Sequence, residues 1–179
     1  MGQSEKKGTG VIGARSGKHL AAWGLALAMA VGIWASCSAL ASGEGVTREQ
    51  YKEAVEPICK SNSEANENIL KGVRKKVREE KLDAAGAQFI RASTALNKTL
   101  KKLKVVAGPP ADEQRLEQWL EGVEDESKLL REVGKALQAD NRGRADRLSA
   151  QLYAGARSTN ALVIPFEFRY CVFEPSKYA

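Results

Sequence analysis

Cys59 and Cys171 are the residues with the most evident chemistry in the chain after residue 41. A redox-active pair normally lies close together, with one thiol activated, whereas these two are far apart in the sequence. Paired cysteines of an exported chain usually form a structural disulfide. We therefore predict that Cys59 and Cys171 form a disulfide that joins the first helix to the C-terminal tail.

The residue types that are missing restrict the chemistry further. His19 is the single histidine, and both methionines, Met1 and Met29, also precede residue 41. The chain after residue 41 therefore cannot form a Ser-His-Asp triad, a Cys-His dyad, a histidine zinc site or a haem site with His or Met ligands. It also contains no phosphate-binding glycine loop. We expect no catalytic residues, no metal and no cofactor, so that the protein is not an enzyme.

The first 41 residues have the three-part pattern of a secretory signal peptide. A polar segment with Lys6, Lys7, Arg15 and Lys18 precedes an uncharged apolar stretch over residues 20–41. Ala39 and Ala41 then place small residues at positions −3 and −1 of a cleavage site before Ser42. The pattern predicts a signal peptide over 1–41 and a secreted or cell-envelope domain over 42–179.

Two alternatives for this leader remain open. The uncharged run of 22 residues is long enough to span a membrane, which needs about 20 residues. An uncleaved anchor over residues 20–41 would keep the protein on the membrane. Small residues before Cys37 would also suit lipid attachment at that cysteine. Cleavage is the favoured interpretation, because Gly24, Gly32 and Ser36 interrupt the apolar stretch.

The charge balance gives little support for nucleic-acid binding. The formal net charge is +6, but four of the 28 basic residues and one of the 22 acidic residues lie in the leader. The remainder has 24 basic and 21 acidic residues, a net charge of +3. A balance so close to neutral does not indicate a nucleic-acid partner.

Apolar residues recur at helical spacing through residues 47–163, which predicts an all-α domain. Thr47 and Gln50 are placed as a capping box for a first helix that continues through Pro57 to Val77. A second helix ends before Gly108-Pro109-Pro110, a third begins at Asp112-Glu113, and a fourth follows Asn141 and ends at Pro165. Four amphipathic helices with short connections favour an antiparallel four-helix bundle. Residues 165–179 are expected to form an extended tail packed on it.

Two runs of basic residues are candidate contacts with an anionic surface. The first comprises Lys71, Arg74, Lys75, Lys76 and Arg78, with Lys81 beyond it, and the second comprises Lys98, Lys101, Lys102 and Lys104. Because both runs lie at predicted helix ends, where cations complement the helix dipole, a solvated surface is the favoured interpretation. In an antiparallel hairpin the two runs would lie at opposite ends, which argues against one continuous patch.

Trp119 and a group of acidic and amide residues invite a functional interpretation. Trp119 lies on the apolar stripe of the third helix, where a core role is expected. The acids Glu121, Glu124, Asp125 and Glu126 are spread around that helix, so we expect a solvated face and no metal site. Asn62 and Asn160 lie among apolar and small residues, where an amide can fix helix register or bind a ligand.

Several short motifs resemble a group of uncharacterised exported helical-bundle proteins of high-GC actinobacteria. They are Ile58-Cys59-Lys60, Leu103 before Pro109-Pro110, Ala136-Leu137-Gln138-Ala139-Asp140, and Cys171. The end of the last helix, Val163-Ile164-Pro165-Phe166, departs from the glycine-containing end of that group. The resemblance implies a disulfide-locked bundle in the cell envelope and supplies no activity.

These observations leave three hypotheses for the function. The first is a non-catalytic binding or scaffold bundle with an unknown envelope partner, and with possible membrane association through the N-terminal apolar segment. The second is a protein that binds an anionic cell-wall polymer or a membrane surface through its basic helix ends. The third, and the least favoured, is an enzyme that uses carboxylates or lysine, which would need a deep pocket with two converging acids.

Overall fold

A computed structural model describes residues 45–177 of the chain. This part of the chain consists of helices α1 Arg48–Leu70, α2 Val73–Arg78, α3 Leu82–Leu103, α4 Glu113–Gln138 and α5 Arg142–Leu162. Short 3-10 turns occupy Pro110–Asp112, Ile164–Phe166 and Pro175–Lys177, and the described residues contain no strand. The predicted leader, the cleavage site at Ala39, Ala41 and Ser42, and Cys37 lie outside the described residues.

The four long helices pack side by side, with α3 and α4 in the centre. Side-chain contacts join α3 to α4 and α4 to α5. Ser93 of α3 lies 3.2 Å from Ser127 of α4 through their hydroxyl groups, and Glu132 of α4 accepts a hydrogen bond from Arg144 of α5. The prediction of an all-helical bundle is thus confirmed for the described residues.

The start of α1 follows the sequence prediction. Thr47 accepts a hydrogen bond from the backbone N–H of Gln50, whose side chain accepts one from the N–H of Thr47. This capping box satisfies two of the amides that a helix N-terminus leaves unpaired. Pro57 lies inside α1, which continues past it. The run Ser61–Asn68, although poor in strong helix formers, is helical because α1 is supported by its packing on α3.

The first helix does not continue to Val77, and this part of the prediction is wrong. It ends at Leu70, and Gly72 adopts a left-handed backbone with φ of 74° before the short helix α2. Gln88 of α3 explains the break, since its side-chain amide donates to the carbonyl oxygens of Ile69 and Lys71 at 2.6 and 3.1 Å. A buried tertiary partner therefore satisfies carbonyl groups that a longer helix would have paired internally.

Close contact between α3 and α4 depends on two glycines. A Cβ atom added at Gly86 would lie 2.4 Å from the carbonyl oxygen of Gly134, and one added at Gly134 would lie 2.7 Å from that of Gly86. No real Cβ tolerates such distances, so both positions require glycine. The contact brings the backbones of the two central helices together.

The C-terminal tail packs on the bundle as the sequence predicts. It forms 3-10 turns and bends, however, and not the extended chain that the alternation of apolar and polar residues had indicated. Phe166, Phe168 and Cys171 are buried. The ring of Phe168 lies 5.6 Å from that of Trp119 and 6.3 Å from that of Tyr51, measured between centroids. The tail thereby completes the core at the end of the bundle where α1 begins.

Candidate ligand-binding site

A small cavity of about 50 Å³ lies between α1, α3, α4 and the tail. We call it the Glu126 cavity. Helix α1 contributes Asn62 and Asn66 to its lining, and α4 contributes Trp119 and Glu126. The remaining lining residues are Cys59, Ser63, Leu96, Thr99, Leu103, Val123, Cys171 and the tail residues Tyr170, Val172, Phe173 and Glu174. The lining therefore combines polar side chains with an apolar and aromatic surround, which is typical of small-molecule sites.

Glu126, Asn66 and Trp119 carry buried polar atoms without hydrogen-bond partners. Their side chains are 1%, 2% and 1% exposed. Oδ1 of Asn66 and Nε1 of Trp119 are unpaired within the described structure, and the carboxyl oxygens of Glu126 have only the hydroxyl of Thr159 nearby, which forms no well-aligned hydrogen bond with them. Because most buried polar atoms in native proteins are paired, a group of such atoms around one cavity is unusual. They mark the cavity as a place that suits a polar ligand or ordered water.

The expectation that Glu126 belongs to a solvated acidic face is wrong. The apolar stripe of α4 runs through Trp119, Val123, Leu130 and Val133, and Glu126 occupies the position between Val123 and Leu130 at the same spacing of three and four. Helical periodicity therefore turns Glu126 towards the core. Its neighbours Glu121 and Asp125 are exposed, and Glu124 pairs with Lys104 and Lys128. The spacing was the sequence signal that would have separated Glu126 from the other acids.

Burial decides the protonation of Glu126. Removal of the carboxylate from water raises the pKa of Glu126 to about 8, and the nearby hydroxyl of Thr159 opposes this only in part. At neutral pH the side chain is thus mostly an uncharged carboxylic acid, which can both donate and accept a hydrogen bond.

The two asparagines of α1 form one side of the cavity. Oδ1 of Asn62 accepts hydrogen bonds from Thr99 of α3 at 3.2 Å and from Nδ2 of Asn66 at 3.4 Å. Since Nδ2 of Asn66 is directed to Asn62, its Oδ1 is left for another donor. Sequence reasoning identified Asn62 and missed Asn66, which lies four residues further along the same helix face.

The tail forms the remaining wall and is held by three sets of contacts. The predicted pair Cys59 and Cys171 is joined by a disulfide, with 5.0 Å between the Cα atoms. Asn160 of α5 accepts a hydrogen bond from the N–H of Phe173 at 3.0 Å and donates one to its carbonyl oxygen at 2.8 Å. Glu56 accepts from the backbone N–H groups of Arg169 and Tyr170. These contacts fix the segment 169–173 against the cavity.

The basic residues singled out in the sequence lie at the junction of α1 and α2. Lys71, Arg74, Lys75 and Arg78 line one surface groove there, together with Glu67. Lys76 is directed elsewhere and donates to Oε1 of Gln88 at 2.8 Å. Lys104, from the second basic run, lines a groove with Tyr51 near the start of α1, at the other end of the bundle. The two runs therefore form no common patch.

Within residues 45–177, no cluster of three or more His, Cys, Asp and Glu side chains is arranged to hold a metal ion. None of the helices in that range combines the length and apolar character needed to cross a membrane.

Comparison of the chain with protein-family models, with curated proteins and with solved structures gives no match.

Proposed function

We propose that this protein is an exported, non-catalytic binding protein that takes up a small polar ligand in the Glu126 cavity. One observation carries the proposal: three buried side chains that line one cavity carry polar atoms without a full hydrogen-bond partner. The proposal includes an antiparallel four-helix bundle behind a signal peptide that ends at Ala41. The leader pattern and the Cys59–Cys171 disulfide support export, since disulfides persist mainly in oxidising compartments.

The cost of burying unpaired polar groups favours a ligand or ordered water as their partner. A buried polar group without a partner costs about 1–3 kcal/mol, and a domain is stable by only about 5–15 kcal/mol in total. Three such side chains at one place would lower the stability of a domain of this size substantially. A ligand that pairs with them would recover part of that free energy on binding.

A binding function fits the cavity better than catalysis does. Glu126 and Glu174 both line it, but Glu174 is exposed, so the cavity holds one buried carboxyl group and no second buried acid. Glycoside hydrolysis by carboxylates, for example, usually requires two acids that flank the reacting bond. The sequence also lacks a histidine after residue 19.

Trp119 offers a direct test of ligand binding. In the full chain with Trp23→Phe and Trp34→Phe, Trp119 is the only indole, so its fluorescence and its Nε1–H NMR signal report on the cavity. We expect saturable changes with at least one probe among methylammonium, acetamide and acetate. An indole signal that responds to none of them would contradict the proposal and indicate a water-filled core.

The groove of Lys71, Arg74, Lys75 and Arg78 supports a second candidate function. Four cations around one groove, with Glu67 the single acid of its lining, suit contact with an anionic cell-wall polymer or membrane surface. Full-length protein should then bind vesicles that contain phosphatidylglycerol, or polyphosphate, and lose this binding at moderate salt. Arg74→Ala and Arg78→Ala together should weaken it, whereas Lys101→Ala and Lys102→Ala at the far end should not. Binding that is independent of salt, or unchanged in both variants, would exclude this function.

A further inference from the structure

We propose that the ligand of the Glu126 cavity is a small organic cation with a primary ammonium group, held by the carboxylate of Glu126 and the amide oxygen of Asn66. This inference rests on the proposed binding function and specifies its ligand class. Three features of the cavity support it: the charge of its lining, the balance of donors and acceptors, and its aromatic surface.

The lining contains two acidic side chains and no basic one. Glu126 lies at the buried end and Glu174 at the exposed rim, and none of the described lining residues is a lysine or an arginine. Two cations, Lys60 and Arg169, lie outside the lining and contact the ring of Tyr170 at 5.7 and 5.1 Å from its centroid. An anionic ligand would therefore find no cation in the lining, whereas a cationic ligand could pair with the carboxylate of Glu126.

The unpaired atoms of the cavity are mostly acceptors. Oδ1 of Asn66 and both oxygens of Glu126, once ionised, need donors, and only Nε1 of Trp119 needs an acceptor. A primary ammonium group carries three N–H donors and no acceptor. It could therefore pair with all three oxygens, which a carboxylate or a phosphate could not.

The aromatic residues and the size of the cavity suit the same ligand. Trp119, Tyr170 and Phe173 contribute to the lining, and cations are attracted to the faces of aromatic rings. A volume of about 50 Å³ corresponds to a few water molecules. A methylammonium ion is of that size.

Binding of such a cation must displace a proton. Below pH 8 the carboxyl group of Glu126 is mostly protonated, and it pairs with an ammonium group only after it releases that proton to the solvent. The other titratable groups of the lining are Tyr170 and Glu174, both from the tail. Helices α1 and α3 contribute only uncharged residues to the lining, and α5 places the hydroxyl of Thr159 near Glu126. Affinity for the cation should therefore rise with pH, by about tenfold per unit below pH 8.

The test uses the full chain with Trp119 as its only tryptophan and four probes at constant ionic strength: methylammonium, tetramethylammonium, acetamide and acetate. Methylammonium should saturate the indole signal, with a Kd about 100-fold higher at pH 5.5 than at pH 7.5. Calorimetry in two buffers of different ionisation enthalpy should show release of about one proton per bound ion at pH 6.5. Tetramethylammonium, which has no N–H donor, should bind at least tenfold more weakly.

Variants separate the role of Glu126 from an effect on folding. Glu126→Gln keeps the shape of the protonated side chain, so it should fold but lose methylammonium binding, whereas Glu121→Gln on the exposed face of α4 should bind normally. Equal binding to Glu126→Gln, or equal binding of tetramethylammonium, would overturn the inference. Saturable binding of acetamide or acetate in preference to methylammonium would contradict a cationic ligand but not the proposed binding function. No response to any probe would contradict both.

Discussion

Cys59 of α1 and Cys171 of the tail form a disulfide, and both residues line the cavity that contains Glu126. The bond therefore closes a long stretch of the chain and also holds one wall of the candidate site. Only the bond was expected from the sequence. Its position beside unpaired polar atoms connects the stability of the domain with the integrity of the cavity.

Removal of the disulfide should both destabilise the bundle and open the cavity. The bond links residues 112 apart, and the chain-entropy model gives about 4–5 kcal/mol for a loop of that length. We expect Cys59→Ala with Cys171→Ala to lower the urea midpoint and to increase quenching of Trp119 by acrylamide. Mild reduction of the unmodified protein is the matched comparison. An unchanged midpoint and unchanged quenching would show that the tail is held without the bond.

Because of Glu126, the protein should become less stable as the pH rises towards 8. Its pKa is about 8 in the folded protein and near the ordinary 4.5 in the unfolded chain, so between these values the folded state holds a proton that the unfolded state releases. The free energy of unfolding should therefore decrease as pH rises from 4.5 to 8, with a slope approaching about 1.4 kcal/mol per pH unit. Glu126→Gln should remove this slope, while the exposed control Glu121→Gln should retain it. Urea unfolding at pH 5, 6.5 and 8 measures the effect, and parallel profiles for all three proteins would contradict it.

The ion pair between Arg48 and Asp112 should contribute stability that is lost in acid. The guanidinium of Arg48 contacts both carboxyl oxygens of Asp112, at 2.6 and 2.7 Å, and lowers the pKa of Asp112 below its usual 3.8. Stability from this pair is present above that pH and disappears as pH falls through the lowered value. Asp112→Asn should lower the urea midpoint at pH 7 more than Glu113→Gln does, and the difference should shrink below pH 3. A difference that persists in acid would indicate that packing, and not charge, accounts for the role of Asp112.

Two glycine substitutions should have opposite effects on stability. Gly86→Ala would place a Cβ atom 2.4 Å from the carbonyl oxygen of Gly134, and such overpacking typically costs about 1–3 kcal/mol. Gly155 of α5 has no atom within 4 Å of an added Cβ, so Gly155→Ala should stabilise the helix by roughly 0.5–1 kcal/mol. Thermal unfolding followed by circular dichroism distinguishes the two. If Gly86→Ala is as stable as the parent, the close contact of α3 with α4 is not as tight as described.

The helical class and most helix boundaries follow from local sequence features. Apolar spacing places α3, α4 and α5, the capping box of Thr47 and Gln50 starts α1, and Asn141 caps α5 through the N–H of Arg144. Gly108-Pro109-Pro110 separates α3 from α4. These signals act within one or two helical turns, so they can be recognised without knowledge of what each helix packs against.

The end of α1 and the candidate site depend on contacts between residues that are distant in the sequence. Gln88 binds carbonyl groups near Leu70 from another helix, and Glu126 becomes an uncharged acid because α1, α3, α5 and the tail enclose it. Asn66 and Trp119 each keep a polar atom without a hydrogen-bond partner because of the residues that surround them.

The sequence alone determined that the chain forms amphipathic helices, that two cysteines could pair, and that histidine chemistry is excluded after residue 41. Which polar groups are buried, and therefore where a ligand fits, was decided only by the tertiary structure, because burial depends on every neighbour of a side chain and not on its own helix.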